Sequence, residues 1–200
     1  WSESRAASAV ARLAWDRSSV CIEVERFRAT AEERARVIGR ILPGKVMAVA
    51  IDGPLCTGFQ LGRNYRFAER ALTLGFQPRI GKPGQLSSPN GQKLNWQATE
   101  CARILVRSGL VASASHAEKV HALAIVEAFP TSFLGVMLGQ PDGLKTKKKA
   151  SSDIFYEVLA NSGVLRRLME TALPGRTLSF DPGAIRNHDD RAAFVCALTA

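Results

Sequence analysis

Cysteine is scarce and scattered in this chain: Cys21, Cys56, Cys101 and Cys196 form no Cys-x-x-Cys pair. That spacing argues against a zinc knot or a disulfide framework and suits a reducing, cytoplasmic setting. Long apolar runs are missing too. No stretch approaches the eighteen or so consecutive apolar residues of a membrane helix, and no basic start followed by an apolar core suggests a signal peptide, so a soluble protein with no membrane partner is expected. Also absent are a P-loop, a Gly-x-Ser-x-Gly elbow, a dinucleotide fingerprint and any internal repeat. Acids are outnumbered: 18 Asp and Glu stand against 27 Lys and Arg, a net charge of +9. Such a balance favours polyanionic partners, nucleic acid above all.

What is present suits one domain over residues 1–200, since 200 residues with 46% hydrophobic content can bury a full core. The organising stretch is Val46-Met-Ala-Val-Ala-Ile-Asp-Gly-Pro-Leu55. Six apolar residues without alternation read as a strand buried on both faces, and the run ends at Asp52 before Gly53 and Pro54 turn the chain. Ligands of open α/β sheets gather outside the carboxyl ends of strands, so Asp52 is either a metal or substrate contact or a turn cap. Residues 120–126 repeat the pattern and run into Glu127-Ala-Phe-Pro130. Two buried strands thus each end in an acid followed shortly by proline.

Around them, residues 9–15 and 20–27 form a β-hairpin across the polar turn at 16–19, the second run alternating between apolar and charged residues. Thr30 with Glu33 makes a capping box for a helix that runs to Leu42 and stops at Pro43-Gly44. A loop from Thr57 leads to a helix carrying Arg66 and Glu69. Residues at about 76–95 are rich in Gly, Pro, Ser and Asn and read as a flap. The next helix, at about 96–108, places Ala98, Cys101, Ala102 and Leu105 on one face, with Gly109 as its C′ residue. After a short helix at 131–138, a helical insertion at about 145–173 opens with a basic loop, Lys145-Thr-Lys-Lys-Lys149, and carries Leu165, Leu168, Met169 and Ala172 as its core face. The loop is either a solvated charge run or a phosphate contact through Lys147, Lys148 and Lys149. A last helix starts at Asp189 or Asp190, where acids also suit the macrodipole, and its Ala193, Cys196, Ala197 and Ala200 form a narrow face for close approach to a sheet.

Four motifs in register, Ile51-Asp-Gly-Pro-Leu55, Arg66 with Glu69, Val126-Glu-Ala-Phe-Pro130 and His188-Asp-Asp-Arg with Ala197-Leu-Thr-Ala200, resemble the domain of unknown function 429 family of predicted RNase H-like nucleases. The resemblance covers residues 46–200. It implies an α/β fold: an RNase H-like mixed sheet with an N-terminal antiparallel hairpin and flanking helices. It also implies an earlier strand ending in an aspartate, expected upstream of Trp1, because Trp1-Ser-Glu-Ser4 resembles what would follow that strand. Ala192 stands where the family's late helix would carry an acid, with Asp189 and Asp190 as substitutes, and Ala68 stands where a cysteine would be typical. The implied activity is metal-dependent hydrolysis of phosphodiester bonds in DNA or RNA. Mg²⁺ or Mn²⁺ would be held by Asp52 and by Asp189 or Asp190, with Glu127 as an outer ligand or water-positioning base, and Arg66 with the lysine loop would bind phosphates. His188 is either a proton shuttle or a surface residue. The alternative is a non-catalytic RNase H-like module that binds nucleic acid or a protein; a small-molecule phosphotransferase lacks its glycine loops.

Overall fold

Alternating apolar and charged residues build the hairpin as expected. Strands β1 (Ser8–Trp15) and β2 (Ser19–Phe27) pair antiparallel, with Ser8 opposite Phe27 and Trp15 opposite Val20. Asp16 ties the turn by accepting from the backbone N–H groups of Ser18 and Ser19, both at 2.7 Å, and these bonds hold its carboxyl down at about 2. Helix α1 (Ala31–Ile41) begins with half of the expected capping box: Thr30 Oγ1 accepts from the Glu33 N–H at 3.3 Å. The Glu33 carboxylate reaches back to the Arg28 N–H at 3.1 Å and to the Arg28 guanidinium at 2.7 Å, so the return bond lands two residues earlier than the motif predicts.

The computed structural model describes residues 1–41, 46–55, 88–111, 124–144 and 150–200. Strands β3 (Ala48–Asp52) and β4 (Ala124–Ala128) lie side by side and parallel, so Asp52 and Glu127 come to the same edge of the sheet. One expectation changes: β3 is not buried on both faces along its length. Only Ile51 is buried, because the edge of β3 away from β4, unpaired among the described residues, borders an open slot. Helix α2 (Pro89–Arg107) also starts earlier than its composition suggested and takes up the end of the expected flap. Ser88 supplies the reason, its hydroxyl accepting from the Gly91 N–H at 3.0 Å while Pro89 occupies the first turn, where its missing N–H costs nothing. Residues 76–87 of that flap, the Arg66 helix and the lysine loop lie outside the described residues.

Helices α3 (Pro130–Leu138), α4 (Ser151–Asn161), α5 (Val164–Ala172) and α6 (His188–Thr199) complete the described chain. Between α5 and α6 the two-residue strand β5 (Thr177–Leu178) pairs parallel with β2 and makes that sheet mixed. The result is α/β, with a mixed sheet and six described helices. Phe155, Tyr156, Leu165, Met169, Phe194 and Val195 form the larger core, and Ile38, Ile51, Ala98, Cys101 and Leu105 a second one under β3. On α5, Leu165 and Met169 point inward as expected, whereas Leu168 is half-buried and Ala172 exposed at the helix end. None of the described helices is long and apolar enough to cross a membrane.

The exit from β3 is tight. Gly53 has φ of 150°, and a Cβ there would meet the Ala98 Cβ at 2.9 Å and the Leu94 Cγ at 3.3 Å. Gly53→Ala should therefore cost about 2–4 kcal/mol, combining backbone strain with overpacking against α2. Urea unfolding of the variant checks this, and a loss under ~1 kcal/mol would mean that α2 gives way freely.

Candidate functional site

The parallel pairing that brings Asp52 and Glu127 to one edge also separates their side chains. Ile51 lies opposite Glu127 and Asp52 opposite Ala128, and successive side chains alternate between faces, so the two carboxylates leave opposite faces of the sheet. Glu127 Oε2 accepts from the Leu55 N–H at 3.0 Å and so fixes the turn after β3. Asp52 turns toward α6. Burial pushes its carboxyl up to about 6; His188 pulls it down, and the charge of Glu127 pushes it further up. Among the described residues no Lys, Arg or His side chain forms an ion pair with it.

The start of α6 is built by Asn187, whose side-chain oxygen accepts from the N–H groups of Asp189 at 2.9 Å and Asp190 at 3.3 Å. With a neutral side chain capping the helix, both aspartates are left to act elsewhere. Asp190 meets Arg26 of β2 in a bidentate pair, at 2.8 and 2.7 Å. Asp189 lines the slot between β1 and β3. His188 Nδ1 lies 3.0 Å from Asp153 Oδ2 at the start of α4. Arg191, only 5% exposed, donates to Asp153 at 3.1 Å, to Glu157 at 3.0 Å and to the Ile185 carbonyl at 2.9 Å.

Asp52, Thr131, Ser152, Asp153, His188 and Arg191 thus surround a small pocket of about 60 Å³. A carboxyl poised near 6 at its wall can exchange a proton at neutral pH, and the pocket is large enough for a few water molecules. Cys196 adds no nucleophile. Burial pushes its thiol up, and it packs against the backbone of Asp52.

A divalent ion makes further demands. Among the described residues no three His, Cys, Asp or Glu side chains lie close enough to share one. Asp190 is committed to Arg26, Asp153 to Arg191 and His188, and Glu127 leaves the far face of the sheet from Asp52. The described residues therefore do not by themselves form the Mg²⁺ or Mn²⁺ site that the resemblance implies. Arg66, Lys147, Lys148 and Lys149 fall outside the described residues.

Asp153 belongs to the site but escaped the sequence reading, and Arg191, which closes the motif His188-Asp-Asp-Arg, carried no role there. Asp153 sits in the first turn of a helix, where an acid is expected from the macrodipole alone. The one available signal was Arg191 itself, a cation one turn into a helix whose first turn already holds two aspartates. Family models, curated proteins and solved structures were compared with the chain, and none matches it.

Proposed function

We propose that this chain is an RNase H-like nuclease domain, similar to the domain of unknown function 429 family, that hydrolyses phosphodiester bonds of DNA or RNA around Asp52. The observation that carries the reading is the parallel pairing of β3 with β4, which brings Asp52 and Glu127 to one carboxyl edge beside the start of α6. Ligands of α/β sheets collect at that edge. Asp52, with its carboxyl pushed up to about 6, is the residue suited to take a proton from an attacking water, and His188 borders the same pocket. A net charge of +9 supports a polyanionic substrate.

A divalent ion, when bound, would acidify the water and neutralise the leaving oxygen. Its remaining ligands must come from outside the set described above. A second reading, a non-catalytic module that binds nucleic acid or a protein, is favoured by the capture of Asp190 by Arg26. The two separate in one assay. Incubating the full-length protein with single- and double-stranded DNA and RNA, with Mg²⁺ or Mn²⁺ and with chelator, should give metal-dependent cleavage. Binding without cleavage under every condition selects the module.

Nucleic-acid binding should weaken steeply with salt, as lysine and arginine contacts release counterions. Neutralising Lys147, Lys148 and Lys149 together is expected to lower affinity and flatten the slope of log K against log salt by up to about 2.7 on duplex DNA, at ~0.9 per phosphate contact. Filter binding at several salt concentrations measures the slope, and an unchanged slope returns these lysines to plain solvation.

A further inference from the structure

Helix α2 has two unlike faces. Ala98, Cys101 and Leu105 are buried in the cluster that contains Ile51 of β3, while Lys93, Trp96, Glu100, Arg103 and Arg107 recur at intervals of three and four residues and share a stripe about 80° wide on the opposite side. Trp96 is 53% exposed, and Lys93, Arg103 and Arg107 are exposed beside it. Glu100 is paired with Arg103, and among the described residues Lys93 and Arg107 form no ion pair. Three cations against one acid leave the stripe positive.

An exposed tryptophan by itself is ordinary. This one is held in place. Arg34 of α1, only 2% exposed, lies over the Trp96 ring with its guanidinium carbon 5.8 Å from the centroid. Neutral acceptors fix Arg34 in turn: it donates to the Ala29 carbonyl at 2.8 Å and to the side-chain oxygen of buried Gln97, and its Nε has no hydrogen-bond partner. Burying a guanidinium without a carboxylate is unfavourable, and an apolar side chain could fill the same space without that penalty. What the guanidinium adds is a flat cation against one face of the indole, which steadies the ring and leaves its open surface toward solvent.

We propose that this stripe is a binding surface for single-stranded nucleic acid, on which an unpaired base stacks against Trp96 while phosphates to either side meet Lys93 and Arg107. An aromatic ring set among cations is the arrangement that holds single strands without regard to sequence, since every base offers a π-face and every linkage a charge. From Lys93 to Arg107 the stripe runs about 21 Å along the helix, long enough for several nucleotides. A protein partner would ask for an apolar patch around the ring, whereas its neighbours on the stripe are charged. The surface is separate from the Asp52 pocket, because α2 packs on the Ile51 face of β3 and Asp52 leaves the other face toward α6. It is still close to the carboxyl edge: Asn95, next to Trp96, donates to the Pro54 carbonyl at 2.8 Å. The inference rests on the nucleic-acid part of the reading above and on no step of cleavage.

Fluorescence anisotropy of a labelled oligothymidine strand and of a labelled duplex, with the full-length protein and with chelator so that nothing is cut, tests this. Trp96→Ala should weaken single-strand binding by at least about fivefold and duplex binding by less than about twofold, while Trp96→Phe, which keeps an aromatic face, should lose less than the alanine variant. Lys93→Gln combined with Arg107→Gln should flatten the slope of log K against log salt by up to about 1.4, at ~0.7 per single-strand phosphate contact. All three side chains are exposed, so the variants should unfold at the parent's temperature; should Trp96→Ala not fold, the lysine and arginine variant decides. Equal single-strand binding by parent and Trp96→Ala, equal losses on single strand and duplex, or an unchanged salt slope would each overturn the proposal. Loss of self-association in place of strand binding would assign the ring to a protein contact and overturn it too. No binding by the parent would remove it together with the nucleic-acid reading, whereas absence of metal-dependent cleavage would leave it standing.

Discussion

Replacing Asp52 by Asn is expected to lower metal-dependent cleavage by orders of magnitude while making the fold more stable above pH 6. The substitution keeps the shape of the side chain and removes its charge, so the pocket loses its proton acceptor and any divalent ion loses its ligand. Nucleic-acid binding should persist or strengthen, because an anion leaves the site. The stability gain follows from the same burial. The carboxyl titrates at about 6 in the folded protein against an ordinary value of 3.8, so the folded state holds this proton more tightly than the unfolded chain does. Stability must then fall as pH rises from 3.8 to about 6, and the ionised carboxylate keeps its penalty at higher pH. Removing the ionisation should return roughly 1–3 kcal/mol at pH 7.5 and nothing near pH 4. Urea unfolding of parent and variant at the two pH values measures this. An equal gain at both would assign the effect to packing, and unimpaired cleavage would end the nuclease reading.

Arg191→Met should be the most damaging single change to the fold. The guanidinium is buried, donates to two carboxylates and a carbonyl, and lies over the Tyr156 ring at 5.1 Å from its centroid. Truncating one member of such a cluster leaves carboxylates without their cation, at a cost of about 3–5 kcal/mol. The lower end is expected, since Asp153 keeps His188 and Glu157 is partly open to water. Arg191→Lys should recover part of the loss, because it restores the charge without the planar fork that reaches both acids at once. Denaturant midpoints of the two variants order them; if Met and Lys prove equal, the cluster is held by packing on Tyr156 instead.

Local signals made much of the fold legible in the sequence. Alternation located the hairpin to within a residue, and the apolar runs leading into Asp52 and Glu127 marked β3 and β4. The site was less legible because its geometry depends on register. Asp52 and Glu127 leave opposite faces because Asp52 pairs with Ala128; a slip of one residue would have turned both the same way, and no property of either strand alone records the difference. Pairs across long separations were equally silent. Arg26 with Asp190 and Arg191 with Asp153 join residues that look like ordinary surface charges until the helices are placed. Strand β5 was missed because two residues cannot display a period.

The Arg26–Asp190 pair also has a temporal meaning. Its members are 164 positions apart, and α6, which covers β1, follows the other described helices in sequence. At synthesis rates of about 5–20 residues per second, the hairpin leaves the ribosome roughly 8–30 s before the helix that shields it. During that interval the inner face of the hairpin, with Leu13, Val20 and Ile22, has no Phe194 or Val195 to pack on. The nascent chain should therefore be a chaperone client until α6 emerges, and slowing translation across the intervening residues should raise its tendency to aggregate.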